Sequence, residues 1–262
     1  MPSYNQGRYI EEAILSILRQ GPYKVQLIIM DGGSADDTVS VVQRHADHVS
    51  VFRSERDRGQ SHALNKALAL ATAPVVGWLN SDDRYQPGAF ARVLKAFAAR
   101  PEVVLVHGNR IMIDAHSRTC GWSSTGPFRP QDDVYNICSE TAFWRRNASE
   151  GLSFREDLRF AMDVHFLGSL SKRGEIEYLP AFLGAFRCHP DSKSSTIWDE
   201  VAVPEGREVW RELFGRVPRS TPPAKASSWT LMRELAANPL SIGWGYLLYR
   251  AQVARDAGAP AA

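Results

Sequence analysis

Two carboxylates stand side by side at Asp82-Asp83, where the apolar run VVGWL (75–79) ends in Asn80-Ser81. Neighbouring carboxylates repel by several kcal/mol at an effective dielectric of about 20. A divalent cation reverses that sign, because it coordinates carboxylate and phosphate oxygens together and its own charge dominates locally. A metal-bound diphosphate is therefore one chemistry for the pair, and a solvated turn or helix cap is the other. Two further polar stretches could share a site with it: Asp31-Gly32-Gly33-Ser34 and Arg58-Gly59-Gln60-Ser61.

The elements that must position these groups follow from hydrophobic periodicity. Short β-branched runs, VQLIIM (25–30), VSVFR (49–53), VVGWL (75–79) and VVLVHG (103–108), alternate with amphipathic stretches, EEAILSILRQ, ADDTVSVVQRHA, QSHALNKALALA and PGAFARVLKAFAA. This alternation predicts βαβ units in an α/β, Rossmann-like, mostly parallel sheet flanked by helices, with Pro87 in the first turn of the fourth helix. Ligands of such sheets bind beyond the carboxyl ends of the strands. Three strand ends carry the polar stretches, so one composite site is the simplest account.

Beyond residue 109 the pattern is less regular. It predicts strands at RIMID and TCGWSS, a helix around ETAFWRR, a helix from Phe160 to Lys172, and separate strands EIEYL and FLGAFRCH. From Thr196 onward it reads as helix, interrupted by the Pro-rich VPRSTPPAKASS at 217–228.

The 31 basic and 29 acidic residues nearly cancel, to +2, so no overall field calls for nucleic acid as a partner. The cysteines, Cys120, Cys138 and Cys188, are odd in number and without CxxC spacing, which argues against a disulfide framework or a zinc site and fits a reducing cytoplasm. No apolar run approaches the roughly 20 residues that span a bilayer.

Taken together, Pro2-Ser3-Tyr4-Asn5-Gln6-Gly7, IIMDGGSADDT, DRGQSHALNKAL and GWLNSDD occur in an order and spacing that resemble the inverting glycosyltransferases of family 2, which have the GT-A fold. The resemblance implies a metal-dependent enzyme that moves a sugar, with inversion, from a nucleotide-diphosphate sugar to a hydroxyl of a glycan or lipid-linked acceptor, in surface polysaccharide or glycolipid synthesis. It implies a catalytic domain over 1–195, with a nucleotide-binding half to about 109 and an acceptor-side half from 110, followed by a helical region over 196–262. Carried over residue by residue, Pro2 and Tyr4 lie at the nucleotide pocket, Asp31 accepts a hydrogen bond from the base, and Gly32 and Gly33 permit close backbone approach. Gly59, Gln60 and Asn65 line the donor side. Asp82 and Asp83 stand at the Asp-x-Asp-like metal motif, with Asp83 the direct ligand of Mg2+ or Mn2+.

Displacement by a hydroxyl needs a group to take its proton. The family's base matches Asp163 in DLRFAMDVHFLG, although Met162 and Val164 replace the acid and the aromatic frequent beside it; the rivals are Asp157 as base, and Asp163 as a cap of the following helix. FRCHPDSKSS resembles a loop closing over the diphosphate, which assigns Arg187 and Lys193 to the donor and His189 to the metal. Glu140, in ETAFW, matches the acceptor side, while Phe143 and Trp144 fit a sugar platform or the core equally.

Only Met1 precedes Pro2, where the family has a central strand. Either the true chain begins upstream of this Met or the fold tolerates the loss; for the chain as given the expectation is an exposed apolar edge with low stability or an incomplete nucleotide pocket. In the C-terminal SSWTLMRELAANPLSIGWGYLLYRAQVAR, aromatics beside arginines fit packing on the catalytic domain, packing on a second subunit in a homo-oligomer, or peripheral contact with a membrane. Two other functions share these features: a sugar nucleotidyltransferase, which would want a basic Gly-rich loop near the N-terminus, and a non-catalytic nucleotide-sugar-binding subunit.

Overall fold

The computed structural model describes residues 1–217. Its strands are β1 (Pro2–Ser3), β2 (Ile28–Asp31), β3 (Val51–Ser54), β4 (Val75–Gly77), β5 (Arg84–Tyr85), β6 (Val103–Ile113), β7 (Thr119–Ser123), β8 (Phe143–Arg145) and β9 (Glu175–Arg187). Its helices are α1 (Ile10–Leu18), α2 (Thr38–Gln43), α3 (Gln60–Leu70), α4 (Ala89–Ala99), α5 (Met162–Leu170), α6 (Lys193–Thr196) and α7 (Val203–Phe214). The C-terminal aromatic and basic segment, with its membrane and subunit alternatives, lies outside the described residues. Among the described residues no helix is long and apolar enough to cross a membrane.

β1, β2 and β3 form a parallel sheet in that order, with Pro2 opposite Met30 and Ile28 opposite Val51. The larger sheet runs β4-β8-β6-β9-β5, with β7 on β6. Here only β6 and β9 are parallel; β4–β8, β6–β8, β5–β9 and β6–β7 are antiparallel. The sheet is therefore more mixed than the strand–helix alternation predicts, because the second half feeds it by irregular connections rather than helical crossovers.

Each helix buries the stripe its period dictates. α1 places Ile10, Ala13, Ile14 and Ile17 in the core, and α4 adds Ala89, Val93, Ala96 and Phe97 to the same cluster. Pro87 lies just before α4, whose N-terminus is set by Gly88 in the left-handed region. A second core on the opposite face gathers Leu105, Trp144, Phe154, Phe166, Leu167 and Val209.

Two expectations change. ETAFWRR forms a 3-10 turn, Ser139–Thr141, and then β8 instead of a helix. Strand alternation sends Phe143 into one core and Trp144 into the other, so neither is a sugar platform. RIMID continues β6, and EIEYL and FLGAFRCH join as the single strand β9. The join passes through a bulge: Gly108 pairs with Leu179 but Asn109 with Phe182, which leaves Pro180, lacking an N–H, out of the ladder. β6 also crosses residues 109–110, so the two parts of the chain on either side of that point share one sheet.

β1 is two residues long and pairs in parallel with β2. Met1 is buried, and its ammonium donates to the Ile28 carbonyl at 2.8 Å. An apolar cavity of 260 Å³ lies between Leu27 and Ile28 on one side and Val75, Val76 and Gly77 on the other.

Candidate active site

The loop after β1 is sewn to the loop after β2. Asn5 N–H donates to Ser34 Oγ (2.7 Å), Gln6 N–H to Thr38 Oγ1 (2.9 Å) and Gly7 N–H to Asp36 Oδ2 (2.8 Å), while Gly32 N–H donates to Ser3 O (2.9 Å). Asp31 ends β2 fully buried. Its Oδ2 accepts from Ser34 N–H (2.9 Å), Gly33 N–H (3.2 Å) and Ser54 Oγ (2.7 Å), and its Oδ1 from Ser34 Oγ (2.5 Å). Gly33 adopts φ +84°, which an L side chain resists, so the turn needs its glycine. Asp31 thus holds the loop first, and Pro2 is buried in β1 beneath it, whereas Tyr4 is 62% exposed and available as a platform.

A second group gathers beside the acid pair. Gly59 starts α3 with φ +112° and open space where a side chain would be. Gln60 Nε2 donates to Asn80 Oδ1 (2.8 Å), Lys193 Nζ donates to Gln60 Oε1 (2.8 Å), and Asn80 Nδ2 donates to Asp83 Oδ2 (3.2 Å). A continuous polar chain therefore links the start of α6 to the acid pair. Asn65 stays out of it: its amide donates to Phe154 O (2.9 Å) and accepts from Phe154 N–H (2.8 Å), which clasps α3 to the 154 segment.

The two acids differ sharply. Asp83 is buried, and its Oδ1 accepts the backbone N–H of Arg187 at 2.9 Å. Burial, then the charges of Asp82 and Glu140, push its carboxyl well above the ordinary range. Asp82 is partly exposed and has Oδ2 at 3.1 Å from His189 Nε2, while His189 Nδ1 is buried without a hydrogen-bond partner. Of the two acids it is Asp82, rather than Asp83, that stands against His189. Arg187 is corrected, because its guanidinium is buried and spent on internal oxygens and so cannot reach a diphosphate.

Asp163 lies inside the first turn of α5, which begins at Met162, and its Oδ1 accepts Val164 N–H at 2.8 Å. It is partly open to solvent yet surrounded by protein; desolvation, with a smaller push from Glu140, raises its carboxyl to about 6, and Lys193 opposes the rise. Lys193 is in turn lowered by burial against the pull of Asp163 and Glu205. The rival Asp157 is exposed and paired to Arg155, which holds its carboxyl below the ordinary range. Glu140 is buried, with Oε1 at 3.6 Å from Arg110 Nη1 and no hydrogen bond. Its charge reaches both Asp83 and Asp163, so it sits electrostatically between the two ends of the site.

The profile of Glycosyl transferase family 2 matches residues 1–169. The chain belongs to glycosyltransferase family 2. A chondroitin synthase of Escherichia coli is 28% identical over 186 residues, covering 68% of this chain and 27% of that protein. The chain spans less than two thirds of the length of the curated relatives it matches first. Staphylococcus aureus TarS 1–349, solved in complex with UDP-GlcNAc, superposes with a TM-score of 0.64 at 18% identity over 81% of this chain and 63% of that one. The mannosyltransferase PcManGT from Pyrobaculum calidifontis, solved with GDP-Man and Mn2+, superposes with a TM-score of 0.62 at 20% identity over 98% of this chain and 82% of that one. The fold is thus the GT-A fold expected from the motifs.

Whether these residues suit a cation is decided by their chemistry. Among the described residues no group of three or more His, Cys, Asp and Glu side chains converges as a self-sufficient metal cage. The carboxylate of Asp82, partly exposed, nevertheless meets the buried imidazole of His189, with an orphaned ring nitrogen behind them. An oxygen and nitrogen donor pair suits Mn2+, or Mg2+ with more oxygen from elsewhere. The fit is to a cation completed by phosphate oxygens.

Proposed function

We propose that this family 2 enzyme acts on a nucleotide sugar and transfers the sugar, with inversion, to a hydroxyl of a glycan or lipid-linked acceptor. The observation that carries the reading is the separation of two chemistries at either end of one polar chain. The Asp82–His189 pair stands at one end, and Asp163, with a carboxyl raised to about 6, stands at the other beside Lys193.

In this reading Tyr4 and the Asp31 turn receive the nucleotide base, and the open face at Gly59 admits the donor. Asp82 and His189, with Asp83 behind them, would hold Mg2+ or Mn2+, which would supply positive charge to the departing diphosphate. Gln60 and Lys193 orient the donor from α3 and α6. Asp163 takes the proton of the attacking hydroxyl; a carboxylate with raised proton affinity is a better base than an ordinary one and is still ionised at neutral pH. Direct attack with a single base, on the face opposite the leaving group, inverts the anomeric carbon. Glu140, buried with its Oε1 facing Arg110, acts on the site through its charge and does not touch the acceptor. The chondroitin synthase relative supports a role in polysaccharide synthesis.

The test is release of nucleoside diphosphate from UDP- and GDP-sugars with Mn2+ and a panel of sugar acceptors, with the product anomer read by NMR. Release with inverted product is expected. No release from any sugar nucleotide, or retained configuration, contradicts the reading.

A further inference from the structure

Arg187 is among the largest fully buried side chains among the described residues, and every part of it is engaged. Nε donates to Asp82 O (2.6 Å), Nη1 to Ser117 Oγ (2.8 Å) and Asp114 O (3.1 Å), and Nη2 to Glu12 Oε2 (2.5 Å). Its backbone N–H holds Asp83 Oδ1 at 2.9 Å, and its guanidinium lies 4.7 Å from the Tyr9 ring centroid. Glu12 is as fully used: Oε1 pairs with Arg84, immediately after the acid pair, and Oε2 also accepts Ser117 Oγ at 2.5 Å. Burial works against a charged Glu12, but the Ser117 hydroxyl, Arg84 and Arg187 together hold its carboxyl below the ordinary range.

We infer that Glu12 and Arg187 form an internal latch that presets the Asp82–Asp83 turn for its cation, making both of them positioning residues. The inference rests on the reading of Asp82 and His189 as the cation site. The physical reason lies in what the latch overcomes. Two adjacent acids repel, and one of them is buried, so without cationic and N–H partners the turn would open toward water. Arg187 fixes the backbone of Asp82 and the side chain of Asp83 at once, and Glu12 supplies the counter-charge that lets a guanidinium stay buried. The same contacts tie α1, the acid turn and the 114–117 turn into one unit.

The experiment titrates Mn2+ into wild type, Arg187→Lys, Glu12→Gln and the double variant in the presence of UDP, and separately GDP, with melting temperature as the folding control. Lysine keeps the charge but cannot span Asp82 O, Ser117 and Glu12 together, and glutamine keeps the shape of Glu12 without its charge. Folded single variants should need about tenfold or more Mn2+ for half-maximal nucleotide binding, while nucleotide affinity without Mn2+ is unchanged. The double variant should lose no more than the worse single one, since both break one unit. A purely structural role would lower the melting temperature and leave the Mn2+ requirement alone. Folded variants with the wild-type Mn2+ requirement overturn the latch; if Arg187→Lys does not fold, Glu12→Gln decides. Wild type without Mn2+-dependent binding to either nucleotide overturns the cation reading and the latch with it.

Discussion

Glu205, on α7, anchors the entry of the helix that carries Asp163. Its carboxylate accepts the backbone N–H groups of Arg159 (2.9 Å), Phe160 (2.8 Å) and Ala161 (3.0 Å), the three residues leading into α5. The helix start thus leans on an acid more than forty residues away, and Asp163 is placed in its first turn rather than before it. Replacing Glu205 by Ala leaves those N–H groups without their acceptor, at a cost of about 2 kcal/mol. Thermal unfolding of Glu205→Ala should show a melting temperature lower by about 4–8 °C. An unchanged value would mean that α5 holds its start without α7.

The strands of the first half were legible because β-branched runs between glycines leave few alternatives to a buried strand. β8 was not: FWR is too short for a period to show, and its strand geometry comes from pairing with Gly77 on β4 and Val106 on β6. Gly77 is needed there, since a Cβ would come within 2.8 Å of the Phe143 ring. The site divides in the same way. Asp82, Asp83, Gln60, His189 and Lys193 were legible as a group and do come together, because each lies at a strand end or helix start. Arg187 and Asn65 were legible as polar residues but not as inward-facing ones, because their partners, Glu12 and Phe154, lie far off in sequence. Glu12, Asn80 and Arg110 carried no signal of their own. An acid in the first turn of α1 looks like an ordinary response to the helix dipole.

The raised carboxyl of Asp163 predicts a pH profile. A base is competent only when ionised, so kcat/KM should fall about tenfold per pH unit below the Asp163 value of about 6. Lys193 stabilises the ionised form, so Lys193→Met should move that acid limb to higher pH, whatever it does to the maximal rate. A limb that stays in place would remove Lys193 from the surroundings of the base.

The central claim, that Asp163 takes the proton while the opposite end of the polar chain holds the donor, is tested most directly by Asp163→Asn with two readouts on one preparation. Calorimetric binding of the sugar nucleotide with Mn2+ should match wild type within about twofold, and transfer to acceptor should fall by about a hundredfold or more. Near-normal transfer in this variant would contradict the account, because the proton would then be leaving by another route.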